Sequence, residues 1–263
     1  MRALIKAAAF SLMFLMSMPL SAQWPLFPTP DVPRTPDGEV DLDAPPPRRA
    51  DGKPDFSGLW NGVRGTPDAP TDAPPVAGFR DVGANLEGGL PLQQWAADEL
   101  AEREANGSRD NPEAHCLPMG IVQFHTQGAP RKFVQTPGLM VILYEASTGV
   151  RQIFTDGRGA PDNDPQPWWY GYSRGRWEGD ELIVETTSFR DGGWLDILGS
   201  PRTDEATITE VIRRPTYGRM EIDITIDDPK AYTEPFTVRV NQEIMVDEDL
   251  IEFICLENQR FGQ

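Results

Sequence analysis

A mainly β chain, folded as an antiparallel lipocalin-like β-barrel with one helix and a Pro-rich N-terminal arm, is what the sequence predicts. Three observations lead there. Short apolar-alternating segments recur at hairpin spacing from Arg131 onward, a single stretch has helical periodicity, and 13 Pro fall between Gln23 and Phe79. With 39% hydrophobic residues and seven Trp, the chain has apolar surface enough for one sizeable core.

The elements follow in order. Arg2 and Lys6 precede an uncharged run from Ala7 to Leu20 that ends in Leu20-Ser21-Ala22, the charged, apolar, small order of a cleavable secretory signal over residues 1–22. That run is shorter than the about 20 residues of a bilayer span. A soluble chain in the periplasm or outside the cell is expected, with no stable membrane insertion after cleavage. Residues 23–54 read as an extended arm, because Pro is excluded from helix interiors and central strands. The barrel domain, 55–263, opens with Phe56, Gly58 and Trp60 alternating along a first strand.

Between Pro91 and Asn106, Leu92, Trp95, Ala96 and Leu100 recur at helical spacing, and Gly107 can end the helix. Ser108 to Gly128 reads as a loop that holds both histidines, His115 and His125. Strands are expected over Arg131–Thr136, Leu139–Glu145, Val150–Thr155, Trp169–Trp177, Glu181–Phe189, Ala206–Arg213, Arg219–Ile226, Phe236–Val246 and Leu250–Leu256. Met220, Ile222, Ile224 and Ile226 share one face, with Glu221 and Asp223 on the other. Ile251, Phe253 and Cys255 likewise share a face, which sets Cys255 among apolar neighbours.

Acidic residues outnumber basic ones 41 to 24, a formal net charge of −17 that removal of Arg2 and Lys6 would deepen. Such a field repels nucleic acid and anionic lipid, so a nucleic-acid partner is excluded. In an oxidising compartment Cys116 and Cys255 are expected to pair, and a bridge closing so long a loop stabilises by up to about 4–5 kcal/mol. The competing reading of His115-Cys116 as nucleophile or metal ligand lacks a recognised ligand frame.

No nucleotide-binding, metalloprotease or nucleophile-elbow motif occurs, so neither cofactor nor metal is expected. Carboxylates, arginines and aromatic hydroxyls remain as reagents. They are densest from Asp156 to Asp196. There Asp156, Arg158 and Asp196, with His125 from the preceding loop, are the candidate catalytic residues. Trp169, Tyr170, Tyr172, Arg176, Glu185 and Trp194 are the candidate ligand-binding residues, since aromatics beside ionisable groups can bury a flat molecule and orient its polar end. The bland alternative makes Asp156-Gly157-Arg158 a surface turn and the indoles core. Glu185 and Glu210 interrupt otherwise apolar faces, which marks either a functional cavity or pairing with Arg176 or Arg213.

Phe56-Ser57-Gly58-Leu59-Trp60 resembles the Gly-x-Trp opening strand of lipocalin-type barrels. Together, His115-Cys116-Leu117-Pro118, Gln135-Thr136-Pro137-Gly138, Asp156-Gly157-Arg158, Gly171-Tyr172-Ser173 through Glu185-Thr186, Trp194-Leu195-Asp196 and Asp227 to Thr233 resemble a family of exported bacterial proteins with a lipocalin-like, calycin-type barrel. The resemblance spans most of the mature chain and implies export and a barrel rather than a particular reaction. Members are richer in histidine after the Asp-Gly-Arg element and before the seventh or eighth strand, where this chain has Gly159-Ala160-Pro161 and Ser200-Pro201-Arg202-Thr203. A metal site carried over from the family is therefore not expected.

Besides a structural module of an envelope complex that works through the Pro-rich arm, two functions are compatible with these features. One is a cofactor-independent lyase, isomerase or hydrolase that moves a proton on a small apolar or aromatic molecule with carboxylate and Arg assistance. The other is a non-catalytic carrier of a hydrophobic ligand.

Overall fold

The structure is a computed structural model that describes residues 28–63, 72–161 and 167–254. The signal expected at residues 1–22 lies outside the described residues, as does Cys255.

Nine strands form a closed barrel: β1 (Gly58–Val63), β2 (Arg131–Thr136), β3 (Leu139–Tyr144), β4 (Val150–Phe154), β5 (Tyr172–Glu178), β6 (Glu181–Thr187), β9 (Thr207–Arg213), β10 (Arg219–Asp227) and β11 (Phe236–Met245). Their order around the barrel is β1-β11-β10-β9-β6-β5-β4-β3-β2, closing on β1. An odd number of strands cannot alternate direction all the way round, so one neighbouring pair must be parallel. That pair is β4 and β5, in ladder register at Ile153↔Ser173 and Phe154↔Arg174. A two-stranded ribbon of β7 (Gly193–Trp194) and β8 (Pro201–Arg202) lies outside the barrel and was not expected from sequence.

Alternation decides the faces. Met220, Ile222, Ile224 and Ile226 are fully buried, while Glu221 and Asp223 face out and pair with Arg219, Arg213 and Arg239. The core continues through Phe56, Trp60, Phe133, Ile142, Ile153, Leu182 and Ile212.

The Pro-rich arm packs on the barrel instead of standing away from it. Arg48 forks onto Asp180 in the β5–β6 turn, Arg49 donates to the Gln135 carbonyl near the β2–β3 turn, and Tyr217 and Gly218 after β9 donate to Ala44 and Leu42. All three turns belong to one end of the barrel, so the arm crosses that end and closes it. Just inside, Trp60 donates from its indole to the Phe56 carbonyl, and the Arg214 guanidinium lies 4.7 Å from its ring centre. Arg214 is itself held by the carbonyls of Tyr217 and Asp55.

At the opposite end the expected loop of residues 108–128 contains two elements that the sequence reading missed. One is a 3-10 turn, Pro112–His115. The other is a short helix, Ile121–Thr126, which follows the anticipated helix Gln94–Ala105; the two are α2 and α1. In α1 only Ala96 is buried, and Trp95 is exposed with its indole donating to the Lys230 carbonyl. The final strand expected over residues 250–256 does not form across its described part. Ile251, Phe253 and Ile254 are exposed there, so the apolar face expected along residues 251 and 253 is not buried.

Candidate functional site

Helix α2 is buried from Ile121 through His125, which explains why no amphipathic stripe betrayed it. It touches opposite walls of the barrel. Gly62 on β1 approaches so closely that an added Cβ would lie 2.8 Å from the Gln127 carbonyl, and on the far side the His125 side chain reaches Glu210 on β9. The helix therefore plugs the mouth. Its C-terminal carbonyls need donors, and Arg131 supplies them, giving Nη1 to His125 O and Nη2 to Gln127 O.

Beneath the helix the inward positions of successive strands turn polar: Arg131 (β2), Tyr144 (β3), Arg151 (β4), Ser173 (β5), Thr186 (β6), Glu210 (β9) and Gln242 (β11) are all buried. Glu210 is 0% exposed, His125 1% and Arg151 2%. Arg151 gives both Nη groups to the Glu210 carboxylate, Nη2 also to Thr186 Oγ1 at 2.9 Å, and Nε to Ser173 Oγ at 3.1 Å. His125 Nε2 lies 3.0 Å from Glu210 Oε1. Arg131 hydrogen-bonds Gln242 Oε1 at 2.7 Å and three main-chain carbonyls, but no carboxylate.

The electrostatics follow from burial and these partners. Burial opposes ionisation of Glu210, yet Arg151 and the His125 hydrogen bond outweigh it and hold the carboxyl down to about 2. Burial pushes His125 below its ordinary value in spite of Glu210, so the imidazole is neutral at pH 7. Burial raises Tyr144, keeping it a phenol, and lowers Arg131 to about 10, which leaves it charged.

Three polar atoms of this cluster have no hydrogen-bond partner although buried, His125 Nδ1, Arg131 Nε and, on α2, Gln123 Nε2, and Tyr144 Oη has only the Arg151 guanidinium beside it, which leaves its O–H undonated. Left open, such atoms cost free energy, so each calls for a partner from outside the chain, a water or a ligand. The cluster is roofed by rings. Phe124 stacks on Tyr144 with centroids 4.0 Å apart and leans on half-buried Tyr170 at 5.5 Å, and His125 stands edge-on to Tyr144 at 6.2 Å.

Of the residues singled out from sequence, His125 and Glu210 belong to this site and Tyr170 to its roof. Glu210 pairs with Arg151, not with Arg176 or Arg213 as expected, and Glu185 pairs with Arg174 on the outer face. Asp156 and Arg158 pair with each other on the surface, where the Arg158 guanidinium lies 4.0 Å from the Phe154 ring centre. Arg176 is exposed and bound to Glu178, and Tyr172 lies between Phe154 and Trp168. Asp196 is fully buried, accepting from Val82 N, Gly199 N, Ser200 N and Ser200 Oγ, and no hydrogen bond joins it to His125.

Trp169 and Trp194 meet instead in a separate surface cleft of about 460 Å³ beside α1, with His115 and Glu99. Both indoles already carry a guanidinium, Arg190 on Trp169 and Arg103 on Trp194. Cys116 is exposed in the left-handed position that ends the 3-10 turn. Among the described residues no group of three or more metal-ligating side chains forms a cation site.

Sequence reasoning missed Arg131, Tyr144 and Arg151. The signal was present for Arg151, which alternates in phase with the inward Ile153. The chain matches no protein-family model, no curated protein and no solved structure.

Proposed function

We propose that this protein is an exported, cofactor-independent enzyme that moves a proton on a small apolar or aromatic molecule, with His125 as the base and Glu210 as its positioning residue. One observation carries the reading: Nε2 of a buried imidazole faces an ionised carboxylate while Nδ1 has no partner. A carboxylate acceptor at Nε2 fixes the N–H there and leaves the Nδ1 lone pair free to accept a proton. Arg151 keeps Glu210 ionised and oriented, so the tautomer is set before anything binds. The surrounding Phe124, Tyr144 and Tyr170 rings suit an apolar or aromatic molecule. Export to the periplasm or cell exterior, and a bridge between Cys116 and Cys255, complete the reading on the strength of the sequence.

Proton abstraction from carbon is the opening step of many eliminations and isomerisations, so the test targets that step. Purified protein in D₂O is incubated with small compounds that carry weakly acidic C–H bonds, and deuterium uptake is followed by mass spectrometry. Uptake is expected with the wild type and should fall about 100-fold or more in His125→Gln. Glu210→Asp should shift the pH profile of the remaining exchange, which a purely structural carboxylate would not do. Retention of a compound without deuterium uptake would replace the enzyme with a carrier.

A further inference from the structure

We infer that Arg131 Nε–H, Tyr144 O–H and His125 Nδ1 together form a site for a small carbonyl compound bearing a C–H next to the carbonyl group, an inference that rests on the proton-transfer reading and specifies its substrate class. Arg131 and Tyr144 are direct cross-strand partners with both side chains inward, and the His125 ring is Tyr144's edge-on neighbour. All three atoms are buried, Arg131 Nε and His125 Nδ1 have no partner in the chain, and Tyr144, beside the Arg151 guanidinium, has its O–H undonated. Two are donors and one is an acceptor. That set complements an oxygen that accepts two hydrogen bonds, next to a group that gives up a proton.

The charge of the cluster agrees. Arg151 and Glu210 cancel, His125 is neutral, and every hydrogen-bond acceptor on Arg131 is an uncharged amide or main-chain carbonyl oxygen. One positive charge is left over. A neutral ligand leaves that excess unopposed at Arg131, whereas an enolate oxygen forms directly against it, the transferred proton staying on His125 so that the total charge of the site is unchanged.

In the step that results, His125 Nδ1 takes the proton, the C–H bond breaks, and its electron pair forms a C=C bond while the carbonyl π pair moves onto oxygen. The enolate oxygen is then held by Tyr144 O–H and Arg131 Nε–H. The imidazolium returns the proton to the same or a conjugated carbon, so atoms and charge balance with no oxidant or co-reactant. Phe124, stacked on Tyr144 under Tyr170, is the ring that such a ligand displaces on its way in.

The probe is 4-nitrophenol, whose phenolate oxygen stands in for the enolate and whose absorbance separates anion from phenol. Bound to the wild type it should ionise at least one unit below its value in water, a tenfold enrichment of phenolate. Tyr144→Phe should weaken phenolate binding about tenfold, and Phe124→Ala, which opens the roof, should speed binding. His125→Gln should still bind the phenolate. Binding of the neutral phenol, no binding, or phenolate binding indifferent to Tyr144→Phe would each overturn the inference and leave the open atoms to solvent water. The two claims separate cleanly. Phenolate binding without deuterium exchange retains this site and removes the base; exchange without phenolate binding retains the base and removes this site.

Discussion

Arg151 on β4 and Glu210 on β9 meet across the barrel interior through two Nη donors, each being, among the described residues, the other's only partner of opposite charge. The pair is thus internally neutral, and Glu210 keeps one oxygen shared with His125. Removing one member strands the other, fully buried, without a countercharge. Arg151→Met and Glu210→Met should each destabilise the fold by about 3–5 kcal/mol, whereas the two combined should cost less than the sum because neither partner is left as an unpaired buried charge. Urea unfolding of the four proteins measures the cycle, and additive costs would show that the pair is not coupled.

Acid should loosen the mouth of the barrel. His125 is held below its ordinary value by burial, against the opposing pull of Glu210 and with Arg151 and Arg131 also disfavouring its charge. The unfolded chain therefore binds the histidine proton first, and stability falls as pH drops through the ordinary histidine range near 6.5. Glu210 behaves in the same direction at lower pH: its carboxyl titrates near 4.5 when unfolded and about 2 when folded, so its contribution is complete above 4.5 and is lost as pH falls toward 2. Thermal unfolding between pH 8 and 3 should show a decline beginning near 6.5 and steepening below 4.5. His125→Gln should abolish the first phase only.

Much of this architecture was legible in the residues. Clean two-residue alternation located β9, β10 and β11 to within a residue or two, and the cluster of Pro located the arm. Helix α2 was not legible for a physical reason. A six-residue helix hardly forms alone, and burial on all sides erases the polar face by which an amphipathic helix is recognised. The unpaired look of Glu210 was readable from its apolar strand, but its partner was not, because which arginine faces it depends on strand order around the barrel. Asp156 and Asp196 drew notice through their aromatic neighbours in sequence, yet Asp156 sits on the surface with Arg158 beside Phe154 and Tyr172, and Asp196 is enclosed by main-chain donors, so neither joins His125.

Asp196 illustrates the difference. Its carboxylate accepts three main-chain N–H groups and one hydroxyl, tying the Val82 segment to the loop that leads into β8. Burial nevertheless raises its pKa, the hydrogen bonds only partly offsetting it. In Asp196→Asn an amide NH₂ is turned against one of those donors, so a loss of about 1–3 kcal/mol is expected. Proton exchange by the folded fraction should be unchanged, since no hydrogen bond connects Asp196 to His125. A selective loss of exchange at unaltered stability would return Asp196 to the chemistry.

Gly149 sets the position of the aromatic roof. It has an ordinary extended backbone, with φ −68° and ψ 139°, so a side chain would bring no backbone strain. What it lacks is room: an added Cβ would lie 2.6 Å from Phe124 Cζ and 3.2 Å from Tyr144 Cδ2. Gly149→Ala must push the Phe124 ring off Tyr144 or bend the β3–β4 turn, at about 1–3 kcal/mol. Because Phe124 belongs to the same helix as His125, the displacement should also change the rate of nitrophenol binding. Pairing the substitution with Phe124→Leu, which withdraws the opposing ring edge, should restore most of the stability. If Gly149→Ala alone is neutral in both unfolding and binding kinetics, the tight contact between this turn and the roof does not control the mouth of the barrel.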